Sequence, residues 1–516
     1  AISNVFLGQL AQFSLTNSLI ELSFPEHSMN FDIASLDWVN KGDLHQGNGE
    51  ILIGQDWQNG QVSFRVDLSG DAADVGSLTG KLFAKVEHLN LKAMRRLLGS
   101  SAEHFESDVN LSLWADFGAN QQQRWLSQWQ PSHLSWGKHN QQVLRINSGL
   151  IQGLKVADKW RLDKLPWQLS VNDKNTDFSV QGLVSKEYQA WRLAELDLAT
   201  WSPLLAVLET AESSIEWSTL LKGGQLSQLA LDYQQATKQL TYQAELLDVS
   251  TQGQAFIPSL NGLDVQVVGD KQRANLSLQQ QGGLHLGVQF DETWKIEKLD
   301  SDIAITFAEP GLSLRSQHTH LVTPELDFAG QWSLTWPKDG AWPVLSLMAN
   351  AEIRDAGKAY WYYPEVMPDK VFSYLKEALL EGQAKHSQVL WYGQLNNYPY
   401  EANNGIFQAF VPLENATFKF DPDWPALQEL QLDLLFQNDG LFMESNRARL
   451  GEVPAQRISA SIPQFQSRSE LFITGEIAGP AEGVQDYLLQ SPIEALSESL
   501  AQLPLGSGDV AGEIYL

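Results

Sequence analysis

Residues 62–68, with the sequence VSFRVDL, alternate apolar and polar side chains along the whole segment. A period of two residues is typical of a β-strand with one dry and one wet face. The same alternation recurs many times along the chain, also at 109–115 and 274–278. The side chains predicted on the dry faces are candidates for one shared apolar surface: Val62, Phe64, Val66 and Leu68; Leu284, Leu286, Val288 and Phe290; Ile303, Ile305 and Phe307; Leu430, Leu432, Leu434 and Phe436.

Turn signals separate the alternating segments. Glycine next to Asn, Asp or a second glycine favours tight hairpins, because these residues tolerate the positive φ of such turns. The pairs are Asn59-Gly60, Gly269-Asp270, Gly282-Gly283, Asp339-Gly340 and Asp439-Gly440. The sequence therefore predicts a mainly β chain whose sheet is largely antiparallel and meandering.

Helix signals are few. Short helices are predicted at 203–208, at about 368–381, from 491 onward and at 92–98. The second is amphipathic, since Val371, Leu375 and Ala378 fall on one stripe, and Gly382 ends it. Four short helices cannot cover the dry faces of so many strands. Such faces must pack on another sheet, close into a barrel or hold an apolar ligand.

The composition excludes several classes of function. There are 35 basic and 62 acidic residues, which give a net charge of -27. This charge repels nucleic-acid phosphates, so no nucleic-acid partner is expected. Cysteine is absent, which excludes disulfides and thiolate metal sites.

Chemical motifs are weak throughout. Residues 506–511 fit G-x-G-x-x-A, but a strand rather than a helix is predicted to follow. His318 and His320 share a strand face without a third ligand at metal-site spacing. The aromatic run 360–363 suits packing better than stacking on sugars. We therefore expect no catalysis, no cofactor and no metal.

The two ends of the sequence suggest a fragment. The chain starts at Ala1, stops at Leu516 inside a predicted strand, and contains neither a signal peptide nor 18 consecutive apolar residues. We expect any membrane anchor to lie outside these residues.

Residues 351–450 carry a family resemblance. In order and spacing they resemble the YhdP group of the AsmA-like family of bacterial inter-membrane lipid transport proteins. The matching segments are 363–368 (YPEVMP), 380–382 (LEG), 405–413 (GIFQAFVPL), 416–418 (ATF), 422–427 (PDWPAL), Asp433 and 438–443 (NDGLFM). Residues 77–82 (SLTGKL) and 196–198 (LDL) are similar to the strand-then-helix units of that family.

The resemblance implies both an architecture and a function. The resemblance implies an elongated, twisted sheet that is curled into an open apolar groove, or β-taco, with a few short helices. It implies an AsmA-like groove over 1–350, the YhdP-like block over 351–450 and a continuing groove over 451–516. It further implies a periplasmic bridge that is anchored in the inner membrane, reaches the outer membrane, conducts phospholipid and supports the outer-membrane permeability barrier.

Two alternatives remain open from the residues alone. A β-sandwich binding or structural protein would show autonomous units of about 100 residues joined by linkers. A β-solenoid acting on polysaccharide would show a coil repeat of fixed length. The sequence shows neither linkers nor a fixed period.

Overall fold

The computed structural model describes residues 5–23, 28–53, 60–74, 77–90, 106–118, 123–136, 142–208, 216–254, 259–287, 293–308, 311–338, 341–363, 369–464, 470–492 and 507–515. The chain divides into two compact units, Ala1–Ile257 and Pro258–Leu516. Each unit is built on one antiparallel sheet.

In unit 1 the strands follow one another across the sheet in chain order. They are β1 (Gln12–Ser23), β2 (Ser28–Lys41), β3 (Leu44–Ile53), β4 (Gly60–Ser69), β5 (Thr79–Leu89), β6 (Glu106–Phe117), β7 (Arg124–Trp129), β8 (Ser132–Trp136), β9 (Gln142–Val156), β10 (Lys159–Val171), β11 (Lys174–Thr176), β12 (Ser179–Val184), β13 (Tyr188–Asp197), β14 (Leu221–Gln234) and β15 (Gln239–Thr251). Strands β7 and β8 share the place between β6 and β9, and β11 and β12 share the place beside β10.

Unit 2 repeats this meander. Its strands are β16 (Ser259–Asp270), β17 (Arg273–Gly287), β18 (Thr293–Ala308), β19 (Gly311–Val322), β20 (Leu326–Pro337), β21 (Val344–Ile353), β22 (Leu379–Gln394), β23 (Gly405–Phe418), β24 (Leu427–Gln437), β25 (Gly440–Leu450), β26 (Val453–Ile462), β27 (Phe472–Pro480) and β28 (Asp509–Tyr515). Each strand pairs antiparallel with the next.

Most helical segments lie on one side of each sheet. Unit 1 has α1 (Leu198–Trp201), a 3-10 helix (Ser202–Leu208) and α2 (Trp217–Leu220), all between the end of β13 and the start of β14. Unit 2 has a 3-10 helix (Ala356–Tyr362) and α3 (Asp369–Ala378) between β21 and β22, and α4 (Ala481–Leu489) after β27. We call this side of each sheet its helical margin. A π-helical turn (Val5–Gln9) precedes β1, and a 3-10 turn (Leu395–Asn397) follows β22 on the opposite side.

β-bulges occur beside the helical margins. His88, Asp248, Asn415 and Glu429 have positive φ inside strands, and the pairing register shifts next to each of them. A bulge bends its strand and increases the local twist. The strands therefore bend where they approach the helical margin.

The predicted mainly β, largely antiparallel sheet with few short helices is confirmed. Hairpins follow Gly269-Asp270 and connect β24 to β25 at Asp439-Gly440, as predicted. The described pairings are all antiparallel and join strands that are consecutive or one strand apart in the chain, which fits neither the parallel coils of a solenoid nor a Greek-key sandwich. The predicted boundaries at 350 and 450 stay predictions.

The hairpin predicted at Gly282-Gly283 is wrong. Strand β17 continues through both glycines, and its register with β18 shifts between Gln281 and Leu284. Glycine within a strand is typical of such a bulge as well as of a turn, and no separate strand begins at residue 284.

The helix predictions have mixed outcomes. The helix at 203–208 is confirmed as the 3-10 helix Ser202–Leu208. The helix at about 368–381 is confirmed but shorter, because β22 takes over at Leu379. Residues 92–98 and 493–500 lie outside the described residues, as do Asn59 and 339–340 of the turn predictions. Helix α4 was not predicted.

Candidate functional site

Backbone register places apolar residues of unit 1 in rows on one face of the sheet. Residues that lie directly opposite each other on paired strands share a face. Three such rows cross from β2 toward β10: Ile33, Ile51, Val62, Val86, Leu111, Trp129, Gly149 and Trp167; Leu36, Gly49, Phe64, Ala84 and Leu113; Trp38, Gly47, Val66, Leu82, Ala115, Trp125, Gly153 and Leu162. Three of the predicted residues, Val62, Phe64 and Val66, are members of these rows. Leu68 lies on the same face, opposite Gly80.

The other face of this sheet carries ion pairs, beside the neighbouring rings of Phe83 and Trp114. On β4, Arg65 forms an ion pair with Asp67. On β5, Nζ of Lys85 lies 2.6 Å from Oε1 of Glu87. Arg124 pairs with Asp116 at 2.7 Å on the next strands. These pairs are exposed and contribute little to stability. Their value is diagnostic, because they show which face of the sheet is turned to water.

The apolar face of unit 1 is closed on one side only. Toward the helical margin, Val109, Ile146 and Val171 are buried. Farther from that margin, Phe64 and Val66 stay half-buried, like their neighbours on β5. A continuous strip of apolar side chains therefore keeps part of its surface accessible. We call this strip, centred on the rows through Phe64 and Val66, the open face of unit 1.

Tryptophan rings cover glycines on the open face. A Cβ added at Gly47, Gly149, Gly153 or Gly182 would overlap the indole of Trp38, Trp167, Trp125 or Trp191 on the neighbouring strand. Only glycine lets a large ring lie this close to the backbone of the next strand. The four pairs give the face broad aromatic surfaces with little relief. The pairing register that creates them is not visible in a single strand's sequence.

Unit 2 carries a similar apolar face. One row runs through Val267, Leu276, Ile303, Ser316, Trp332, Leu347, Trp391 and Phe407, and the next through Ala274, Ile305, Leu314, Leu334 and Leu345. The predicted residues Ile303 and Ile305 are half-buried there. Phe307 lies on the same face near the strand end and is largely exposed.

The two remaining predicted groups have different placements. Leu284 and Leu286 lie on β17 opposite Ile296 and Trp294 of β18, whereas Val288 and Phe290 are outside the described residues. By contrast, Leu430, Leu432 and Leu434 are only 1%, 4% and 2% exposed. They belong to a hydrophobic core that includes residues of α3 and α4, and Phe436 packs against it. Lipid contact by any of these residues stays a prediction.

A small group of hydroxyls interrupts the apolar face of unit 2. Ser301 Oγ lies 2.7 Å from Thr319 Oγ1, and Trp332 Nε1 donates to Thr319 Oγ1 at 3.0 Å. Ser316 Oγ donates to the carbonyl of His318 at 2.8 Å. These bonds satisfy groups whose burial without partners would be costly, and they lie where the register of β19 shifts.

Polar contacts fasten the 3-10 helix Ala356–Tyr362 to the sheet. The hydroxyl of Tyr362 lies 2.6 Å from Thr323 Oγ1 and donates to Glu325 Oε2 at 3.1 Å. Burial raises the pKa of Tyr362 to about 12. Lys358 lies 3.3 Å from Glu325 Oε1, and hydrogen bonds to Glu325 and Asp355 raise the pKa of Lys358.

The aromatic run 360–363 packs inside the protein, as predicted. The ring of Tyr362 lies 4.9 Å from that of Trp294, whose Nε1 donates to the carbonyl of Trp361 at 2.9 Å. Tyr363 packs against the hydrophobic core. These rings are therefore occupied by protein contacts and do not form an aromatic platform for a sugar.

Two kinds of feature are absent from the described residues. Within that part of the chain, no group of three or more His, Cys, Asp or Glu side chains is arranged to hold a metal ion. None of the described helices combines the length and the apolar character that crossing a membrane requires.

Each unit is a meandering antiparallel sheet, and an apolar face runs across its strands. Comparison with known families gives the class of protein: the family model described as "YhdP protein" matches residues 1–516, and the chain belongs to the YhdP family. The chain is similar to the "Intermembrane phospholipid transporter YhdP" of Escherichia coli (strain K12), with 26% identity over 544 residues. That match covers 100% of the chain and 42% of the relative, so the chain spans less than half the length of this relative.

Proposed function

We propose that this chain forms part of a bridge that carries phospholipid between the two membranes of a Gram-negative envelope. The observation that carries the proposal is the open face of unit 1, where half-buried apolar side chains run in register across successive strands. The name of the Escherichia coli relative, an intermembrane phospholipid transporter, agrees with it.

The physical argument concerns the acyl chains. Each CH₂ moved into water costs about 0.8 kcal/mol, so a phospholipid with two long chains faces a barrier of roughly 20 kcal/mol or more. A continuous apolar strip lowers this barrier by keeping the chains in contact with protein at every step. The indole rings that lie over the glycines broaden the apolar surface of that strip.

The headgroup would stay in water beside the strip. The ion pairs on the opposite face and the net charge of -27 suit a surface surrounded by solvent. No chemical step is required, so we infer that the chain acts by binding and not by catalysis. We further propose a periplasmic location, an inner-membrane anchor and an outer-membrane end in the complete protein, which would support the permeability barrier.

Native mass spectrometry of the purified chain tests the proposal. We expect co-purified phospholipid, which is lost in Phe64→Asp/Val66→Asp. The matched control, Arg65→Asp on the polar face of the same strand, should keep its lipid. A folded wild-type chain without lipid, which also takes up none from phosphatidylethanolamine vesicles, would contradict the proposal.

A further inference from the structure

A second apolar feature lies on the face of the unit 2 sheet that is turned away from its hydrophobic core. Phe410, Phe442 and Phe472 are 37%, 41% and 51% exposed, although each sits in a regular strand. Their strand neighbours Val411, Leu441 and Ile473 face the core on the other side of the sheet. Large apolar side chains exposed together on one sheet face are typical of a binding site.

The strand register aligns these side chains into a ridge. Phe410 is opposite Leu435, and Leu435 is opposite Phe442. Phe442 is opposite Ser461, and Ser461 is opposite Phe472. The residues Phe410, Leu435, Phe442 and Phe472 form what we call the outer ridge. It crosses five strands and is therefore about 19 Å long at a spacing of about 4.8 Å per strand.

Carboxylates run along one flank of the outer ridge. Asp433 lies two residues before Leu435 on β24, and Glu444 lies two residues after Phe442 on β25. The register places these two carboxylates opposite each other. Both side chains are exposed, and neither has an ion pair within the described part of the chain. The other flank carries the uncharged Gln408 and Gln437, which lie opposite each other. Two carboxylates therefore lie on one flank of the ridge and two uncharged amides on the other. Arg447, opposite Gln431, lies one row farther out and pairs with Glu429.

We propose that the outer ridge binds an amphipathic α-helix of another protein that carries Lys or Arg along one flank. A helix advances 5.4 Å per turn, close to the strand spacing, so its successive apolar residues can meet successive strands. About 13 residues, at 1.5 Å each, would cover the ridge. Their basic flank would lie against Asp433 and Glu444, which steers and orients association.

The same charges disfavour other occupants. An anionic membrane surface would be repelled by the acidic flank, and a second copy of a chain with net charge -27 would bring more repulsion than attraction. The outer ridge lies on the face of unit 2 opposite its core, and none of its residues belongs to the open face of unit 1. The inference thus goes beyond the proposed function and does not depend on it.

Site-specific photocrosslinking in the full-length protein, in its natural host, tests the inference. With p-benzoylphenylalanine in place of Phe442, we expect a covalent adduct whose attached peptide has apolar residues at helical spacing and Lys or Arg on one side. The double substitution D433K/E444K should lower the adduct yield at least tenfold. Arg315, exposed on the same face of β19, gives the matched control position, where no such adduct is expected.

The other outcomes would overturn the inference. They are no adduct at Phe442, an adduct with phospholipid, with a second copy or with the same chain, and an attached peptide without a basic flank. An unchanged adduct yield in D433K/E444K would also overturn the inference. Should that variant fail to melt cooperatively, D433N/E444Q replaces it, with the same loss expected and with any remaining adduct insensitive to added salt.

Discussion

The indole of Trp167 covers Gly149 on the neighbouring strand, and its Nε1 donates a 2.9 Å hydrogen bond to the carbonyl of Leu150. The bond satisfies the indole while its ring lies against the backbone of β9. Trp129 packs against Trp167 with ring centroids 5.5 Å apart. These contacts fix the aromatic surface of the open face in one arrangement.

Gly149→Ala tests whether this arrangement needs glycine. The added methyl group overlaps the indole of Trp167, so we expect a loss of about 1–3 kcal/mol in the free energy of unfolding. Gly512→Ala is the control, because nothing lies within 4 Å of a Cβ at that strand position. Urea unfolding followed by tryptophan fluorescence measures both. Equal stability of the two variants would contradict the close contact.

Charge substitutions distinguish the open face from the closed core. Leu432→Asp places a carboxylate in the core beneath α3 and α4, and we expect a loss of several kcal/mol or failure to fold. Phe64→Asp places it on a half-buried surface from which it can reach water, so folding should survive. Soluble yield and thermal melting measure the difference. Insoluble Phe64→Asp together with stable Leu432→Asp would reverse our assignment of the two sites.

The hydrogen bond from Trp391 to Tyr400 is a separate test of core packing in unit 2. Trp391 Nε1 donates to the hydroxyl of Tyr400 at 2.7 Å, and both residues are buried. Tyr400→Phe keeps the ring and leaves the indole N–H without a partner, so we expect a loss of about 1–3 kcal/mol in stability. The control is Tyr392→Phe, which removes a hydroxyl at an exposed position of the strand that carries Trp391 and should leave stability unchanged. A neutral Tyr400→Phe would count against the buried bond.

Alkaline pH should weaken the contact between Tyr362 and the sheet. The pKa of Tyr362 rises from 10.0 to about 12 through burial, so the folded state holds the phenol proton more tightly than the unfolded state does. This contribution to stability is complete below about pH 10 and declines as the pH rises toward 12. Urea unfolding between pH 9 and 12 should therefore show a steeper loss for the wild type than for Tyr362→Phe. Parallel pH profiles would refute the shift.

The strand content could be predicted because alternation is a local signal. Residues 62–68 and 303–307 fold as strands with the predicted side chains on one face, since a strand turns alternate residues to opposite sides. The aromatic run 360–363 was also predictable as packing. In each case neighbouring residues alone carry the information.

Features that depend on strand pairing or on packing between distant segments could not be predicted from neighbouring residues alone. Gly282-Gly283 has the composition of a turn, and only its pairing with β18 makes it part of a strand. Leu432 and Phe64 have the same alternating pattern, yet helices cover one and leave the other half-buried. The match of Trp167 to Gly149 depends on the register of two strands and is absent from either sequence segment alone.

Photocrosslinking to lipid on the open face tests the central claim most directly. With p-benzoylphenylalanine in place of Phe64 in the full-length protein, mass spectrometry of the irradiated cells should show phospholipid adducts. Arg65, the next residue of β4 and on its polar face, should give none. Lipid adducts at position 64 and not at position 65 are the expected result; no lipid at position 64, or equal adducts at both positions, would contradict transport along this face.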